Sequence, residues 1–176
     1  MPDSALLIID VQNGVLDGCH DADGVVARIN DLSRRAAEEG APVIFIQHED
    51  EELVKGSPEW RLAEGLERPD GALTVEKTYR DGFGATDLEE RLRSLGAGRL
   101  VVTGAHSDWC VQTTALSALV RGFDLALVRD GHTTVPSPDD PTLTGEALTA
   151  HVNARMATLR HPERTIEVLP AAEIEF

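Results

Sequence analysis

Three side chains in this sequence are suited to one piece of chemistry: the carboxylate of Asp10, the amine of Lys77 and the thiol of Cys110. A thiolate attacks a carbonyl carbon and splits one hard hydrolysis into two easier acyl-transfer steps. A carboxylate beside it accepts the thiol proton, delivers it to a leaving nitrogen and then activates the hydrolytic water. A compact ammonium lowers the thiol pKa and holds the carboxylate in place. Cys110 follows the segment GAHSDW, at or next to the first turn of a helical pattern with Val111, Ala115, Ala118 and Leu119 on one stripe. Unpaired N–H groups and the positive end of a helix dipole favour an anion there, so a thiol that ordinarily titrates near about 8.5 is expected to ionise more easily. The backbone N–H groups of His106 and Cys110 are the expected donors to a developing oxyanion. Taken singly, an Asp at a strand end is a common turn residue, a lysine usually lies at the surface and a cysteine packs as a small hydrophobe. Their coincidence at element ends is what points to a site.

The elements that must position these groups alternate in type. Ala5–Ile9 is a continuous apolar run ending at Asp10, as expected of an inner strand. A crossover helix follows, with Val25, Ile29, Leu32 and Ala36 at helical spacing and Gly40 as its stop. Pro42–Gln47 is a second strand, and Leu73–Glu76 a third, ending at Lys77. Between these two lies a polar stretch, His48 to Gly71, with no clear periodicity beyond a turn of helix near Trp60–Leu66. Connections of that length tend to be functional, so it is expected to form a lid or a rim. Thr86-Asp87-Leu88-Glu89 reads as a capping box opening a helix through Leu95. Strand Leu100–Thr103, the Cys110 helix closed by Gly122, strand Asp124–Val128, a Pro-rich loop from His132 to Pro141, a helix over Thr144–Leu159 and a last strand Thr165–Leu169 complete the order. In the Thr144–Leu159 helix Ala147, Leu148, His151, Ala154 and Arg155 share much of a face. The alternation predicts one α/β domain spanning 1–176, a three-layer α/β/α, Rossmann-like architecture with a mainly parallel six-stranded sheet. In such sheets ligands gather beyond the carboxyl ends of the strands.

Composition narrows the function classes. Sixteen Lys and Arg stand against 31 Asp and Glu, a formal charge of −15. That repels nucleic-acid phosphates and anionic membranes, and suits steering of cationic substrates or simply a solvated surface. No window approaches a bilayer span. The opening MPDSALLIID lacks a basic, long apolar leader, and two cysteines form no dense disulfide framework, so a reducing cytoplasm is the expected location. Cys19 is expected to be a free bystander thiol. A doubly wound nucleotide-binding or redox module is an alternative for this alternation of elements, as is a regulatory protein without turnover. Against the former, Asp10-Val11-Gln12-Asn13-Gly14 lacks the glycine cradle and sets a carboxylate where a phosphate would lie.

Over nearly the whole chain the residues resemble the isochorismatase-like cysteine hydrolases, which include nicotinamidases and other small-amide hydrolases. The resemblance is carried by LLIIDVQNG, by VEKTYRDGFGATDLEERLRSLG and by VVTGAHSDWCVQTTALSALVRGFDLALVRDGHTT. It implies Asp10, Lys77 and Cys110 as a catalytic triad, a cis peptide at Ala105–His106 aiming the His106 N–H at the oxyanion, and dimers or tetramers. The implied activity is cofactor-free cleavage of a C–N bond in a small amide, carbamoyl or ureido substrate. A vinyl-ether hydrolysis of the isochorismatase type does not need the thiol, so Cys110 favours C–N cleavage. Two departures matter. Metal-binding nicotinamidases resemble Asp-x-His with a further His, whereas this chain has Gln47-His48-Glu49-Asp50 and no second His nearby, so no metal is expected. The loop reads Gly104-Ala105-His106-Ser107 in place of Gly-x-x-Thr, with Ser107 as a stand-in hydroxyl and His106 as a bulkier, titratable neighbour of the cysteine. Expected substrate-binding residues are His48, Trp60, Tyr79, Phe83 and Trp109. His132, Thr133 and Thr134 are expected at the rim or against a neighbouring subunit.

Overall fold

The computed structural model describes residues 3–140 and 142–176. Six strands form one sheet: β1 (Ser4–Ile9), β2 (Val43–His48), β3 (Leu73–Lys77), β4 (Arg99–Ala105), β5 (Asp124–Thr133) and β6 (Ile166–Leu169). Their order is β3-β2-β1-β4-β5-β6, with every neighbouring pair parallel. β1 is buried along its whole length because both faces are covered. Leu6 and Ile8 pack with α2 (Ala22–Glu39), while Ala5, Leu7 and Ile9 pack towards α3 (Leu88–Ser94), α4 (Gln112–Val120) and α5 (Gly145–Thr158). A four-residue turn, α1 (Asn13–Leu16), precedes α2. The result is a three-layer α/β/α domain, whose continuous apolar strands are those a doubly covered parallel sheet requires.

The chain steps from β1 outward to β2 and β3, then returns to the other flank of β1 as β4. The order reverses between β1 and β4, and the crevice opens beyond their carboxyl ends. Asp10 and the Cys110 segment lie on its two sides.

Local departures from the sequence reading have physical causes. The Thr86–Glu89 box does not form: Thr86 Oγ1 donates to Gly82 O at 2.7 Å, and Asp87 takes the N-cap position without a side-chain cap bond. No helix forms over 60–66, where Leu62 instead makes an isolated antiparallel bridge to Gln12. β5 runs on through His132 and Thr133, so these residues pair with Gly104 and Ala105 of β4 and are buried. Thr134 is buried beside them, so none of the three sits at a rim. Helix α5 packs on Val152 and Met156, with Thr144 capping it by accepting from Ala147 N at 3.1 Å. The face through Ala147, His151, Ala154 and Arg155 is the exposed one.

Candidate active site

The end of β1 is held in an unusual backbone state. Asp10 has φ 50, in the left-handed region, at a cost of about 1 kcal/mol that a short polar side chain tolerates best. Its N–H donates to Ile46 O at 2.8 Å, and its carbonyl accepts from Gln12 N at 2.9 Å. The next residues then clamp the long connection over the crevice. Gln12 is buried, gives Nε2 to His48 O at 3.0 Å and Trp60 O at 2.8 Å, and accepts from His48 N at 2.8 Å. Asn13 donates from its side chain to Pro58 O at 2.9 Å and accepts from Glu64 N at 3.0 Å. The Gln-Asn pair therefore ties strand end to rim, a role that sequence reasoning did not assign.

On the other side Gly104 has φ +119, and a Cβ there would lie 2.0 Å from Ile9 O. Only glycine lets β4 approach β1 this closely. The Ala105–His106 peptide that follows is cis. A five-residue π turn, Ser107–Val111, carries Cys110 and runs directly into α4, whose Ala115, Ala118 and Leu119 are buried together with Val111. No acceptor for the His106 backbone N–H occurs among the described residues.

Lys77, at the end of β3, is buried and reaches across β2 to the crevice. Its Nζ lies 2.7 Å from Asp10 Oδ2, 3.3 Å from His48 Nδ1 and 3.5 Å from Cys110 Sγ. An ammonium has three protons, and these three acceptors use all of them. His48 Nδ1 then accepts, so its Nε2–H donates to Asp50 Oδ2 at 3.0 Å. Asp50 is fixed in turn by the N–H groups of Glu52 and Leu53, which hold its carboxyl below the usual range.

Burial raises the Asp10 carboxyl pKa, opposed chiefly by the Lys77 charge. The Cys110 thiol is pushed up to about 12, first by burial and then by the Asp10 charge, with Lys77 pulling the other way. The expected easy ionisation at a helix start is thus corrected: desolvation outweighs the local backbone field. The resting sulfur is a neutral thiol next to an acceptor. Asp10 Oδ2 is held by Lys77, and the neighbouring Cys110 thiol is the other hydrogen-bond partner of this buried carboxyl.

Above these groups lies a cleft of about 470 Å³, lined by Asp10, Cys110, His48, His106, Trp109 and Arg80 with residues of the α1 segment and the 48–71 connection. The His106 ring is tilted against Trp109, with 5.5 Å between centroids, and its Nε2 is bonded to Val15 O at 2.8 Å. Of the five expected substrate-binding residues, His48 and Trp109 line the cleft. Phe83 instead stacks on Phe123 in the core at 6.0 Å, Tyr79 is 61% exposed outside it, and Trp60 meets it through neither ring nor backbone. Ser107 faces away, with Oγ 2.7 Å from His132 Nδ1 and 3.1 Å from Thr149 Oγ1. Among the described residues no group of three His, Cys, Asp or Glu side chains is arranged to hold a metal ion.

Residues 4–159 match the model of the isochorismatase domain. The chain belongs to the isochorismatase family. It is 34% identical to a streptothricin hydrolase of Streptomyces noursei over 99% of its own length and 71% of that protein's. It is 26% identical to nicotinamidase 3 of Arabidopsis thaliana over 74% of the chain and 73% of the relative. Among solved structures, an isochorismatase from Pseudomonas putida KT2440 superposes with a TM-score of 0.87 at 28% identity, covering 98% of this chain and 90% of that one. As a member of the isochorismatase family the protein is a hydrolase, and the nucleotide-binding alternative falls away: the crevice floor is filled by the Asp10–Lys77 ion pair. No helix among the described residues is long and apolar enough to cross a membrane.

Proposed function

We propose that the protein hydrolyses a C–N bond of a small amide through a thioester on Cys110, with Asp10 and Lys77 completing a triad. The observation that carries this reading is the convergence on one buried ammonium of a carboxylate from β1 and a thiol from the β4–α4 turn, at 2.7 and 3.5 Å. The named activities of the streptothricin hydrolase and nicotinamidase relatives support it. Lys77 opposes the upward pull of burial on Asp10 and so favours the carboxylate form that the thiol needs as its base. As Sγ attacks the carbonyl carbon, its proton passes to Asp10, and the oxygen takes the electron pair in front of the His106 and Cys110 N–H groups. Each such donor contributes about 3 kcal/mol of barrier lowering. Collapse of the intermediate breaks the C–N bond while Asp10 protonates the departing nitrogen. Water then enters, gives a proton to Asp10 and attacks the thioester carbonyl; the acid leaves and the proton returns to sulfur. The test is release of ammonia or amine from a panel of small amides. Wild type is expected to turn over at least one of them, with Cys110→Ala and Asp10→Asn each reduced by a thousandfold or more. Full turnover by Cys110→Ala removes the thioester.

A further inference from the structure

We infer that His132 is a positioning residue for the nucleophile turn: held by Asn153 in the tautomer with its proton on Nε2, it accepts the hydroxyl proton of Ser107 and so fixes the segment that presents the His106 N–H and Cys110. This deepens the amide-hydrolase reading and rests on it only for the kinetic part of the test.

Three elements meet behind the turn. The register of β5 on β4 slips between Val102 and Gly104, which sets His132 beside Gly104, just before the turn begins. Helix α5 brings Thr149 and Asn153, four residues apart and therefore on one face. The turn supplies Ser107, which is buried like His132. The direction of each hydrogen bond follows from one end of the chain they form. Asn153 donates from Nδ2 to Arg129 O at 2.9 Å, so its Oδ1 is left as an acceptor. That oxygen lies 3.0 Å from His132 Nε2, which therefore carries the proton. Burial pushes the His132 pKa down to about 4, so at neutral pH the ring is uncharged and Nδ1 holds a lone pair. Ser107 Oγ, 2.7 Å from Nδ1, donates to it. With its proton spent, Ser107 accepts from Thr149 Oγ1 at 3.1 Å.

A buried histidine with both nitrogens bonded is often a packing element and nothing more. What sets this one apart is where its bonds lead. Ser107 directly follows His106, whose backbone N–H has no acceptor among the described residues, and stands three residues before Cys110. Trp109 and Val111 both give their N–H groups to His106 O at 3.1 Å, which shapes the turn without fixing it to the sheet. Side chains do the fixing. Ser107 is bonded to His132, and the next residue, Asp108, accepts from Thr134 Oγ1 at 2.7 Å, just past the end of β5. The Ser107 bond is the more deeply buried of the two and the nearer to the His106 N–H. Without it, His132 Nδ1 is left as an open acceptor in the interior and the turn is free to shift. A displacement of about 1 Å at a reacting centre costs up to about a hundredfold in rate.

Nitrogen-15 NMR of the wild type should show His132 at pH 7 with Nε2 protonated and Nδ1 bare; the other tautomer, or a doubly protonated ring, overturns the inference. Ser107→Ala, assayed well below its thermal midpoint, should lower kcat on the best amide of the panel by about tenfold to a hundredfold, with KM changed by less than about twofold. Ser107→Thr keeps the hydroxyl and should recover kcat to within about threefold. His132→Leu should lose as much as Ser107→Ala, and the double variant no more than either, because one and the same bond is removed in all three. An unchanged kcat in folded Ser107→Ala, a fall that Ser107→Thr does not repair, or losses that multiply in the double variant overturns the inference and leaves the amidase reading standing. Should His132→Leu fail to fold, the two Ser107 variants and the tautomer decide. Hydrogen exchange over residues 105–111 reads the same contact without turnover, and should be about tenfold faster in Ser107→Ala and restored in Ser107→Thr. That pattern in a protein that cleaves none of the amides supports the positioning role and overturns the amidase reading. Equal exchange in all three proteins overturns the positioning role.

Discussion

Alkylation of Cys110 reads the ionisation of the resting site directly. With the thiol pushed up to about 12, the thiolate fraction at pH 7.5 is on the order of one in 30,000, against about one in ten for a free cysteine of pKa near 8.5. Iodoacetamide should therefore label Cys110 about three thousandfold more slowly than a free thiol, with a rate that climbs roughly tenfold per pH unit from 7 to 10 and reaches no plateau. Asp10→Asn changes this in an unexpected direction. Removing the carboxylate takes away a charge that raises the thiol pKa and leaves Lys77 Nζ beside Sγ with no anion of its own. At an effective dielectric of about 20, unit charges about 4 Å apart interact by about 4 kcal/mol, so the midpoint should fall by about two to three units. The variant should label about a hundredfold faster than wild type at pH 7.5 while losing turnover. Peptide mass spectrometry quantifies both cysteines in one digest, and Cys19, whose thiol is also raised to about 12 by its own burial, serves as the internal reference. A wild-type labelling rate that levels off below pH 8 would refute the reasoning, because it would mean a thiolate formed in advance by the helix start.

Other outcomes follow from the same packing. Lys77→Met leaves Asp10 as an unpaired buried carboxylate and should cost about 3–5 kcal/mol by urea denaturation, most of it recovered by adding Asp10→Leu. His132 is buried and pushed down to about 4, so the unfolded chain, titrating near about 6.5, binds its proton first. Its contribution is complete above pH 6.5 and is lost as pH falls towards 4, about 3 kcal/mol in all, and His132→Gln should flatten that part of the stability profile. Gly104→Ala would force a Cβ into Ile9 O at 2.0 Å, and should destabilise the fold by more than about 3 kcal/mol, seen as a lowered thermal midpoint.

What the residues reveal in advance follows the range of the forces involved. Strands β1 and β4 announce themselves because burial on both faces demands unbroken apolar runs, and the groups at their ends inherit a position from the topology. The aromatic side chains were harder to place. Gly82 packs against Thr114 and donates to its Oγ1 at 2.9 Å, which turns the neighbouring Phe83 into the core, and no periodicity signals that. The acidic lining of the cleft is equally silent in the sequence, since Asp17, Glu52 and Glu59 sit in segments without a repeat that long-range contacts such as Gly14 N–H to Glu59 O at 2.9 Å bring to one cleft. The thiol shows the same limit. A helix start is a local feature and argues for an anion, whereas the desolvation and the Asp10 charge that prevail come from residues far away along the chain.

The central claim is that the acyl part of the substrate passes through sulfur. Rapid quenching of wild type during turnover of its best amide, followed by intact and peptide mass spectrometry, should show the acyl mass on Cys110. The adduct should vanish on treatment with hydroxylamine and be absent from Cys110→Ala. Sustained turnover with no adduct on Cys110, together with undiminished activity of Cys110→Ala, would contradict it.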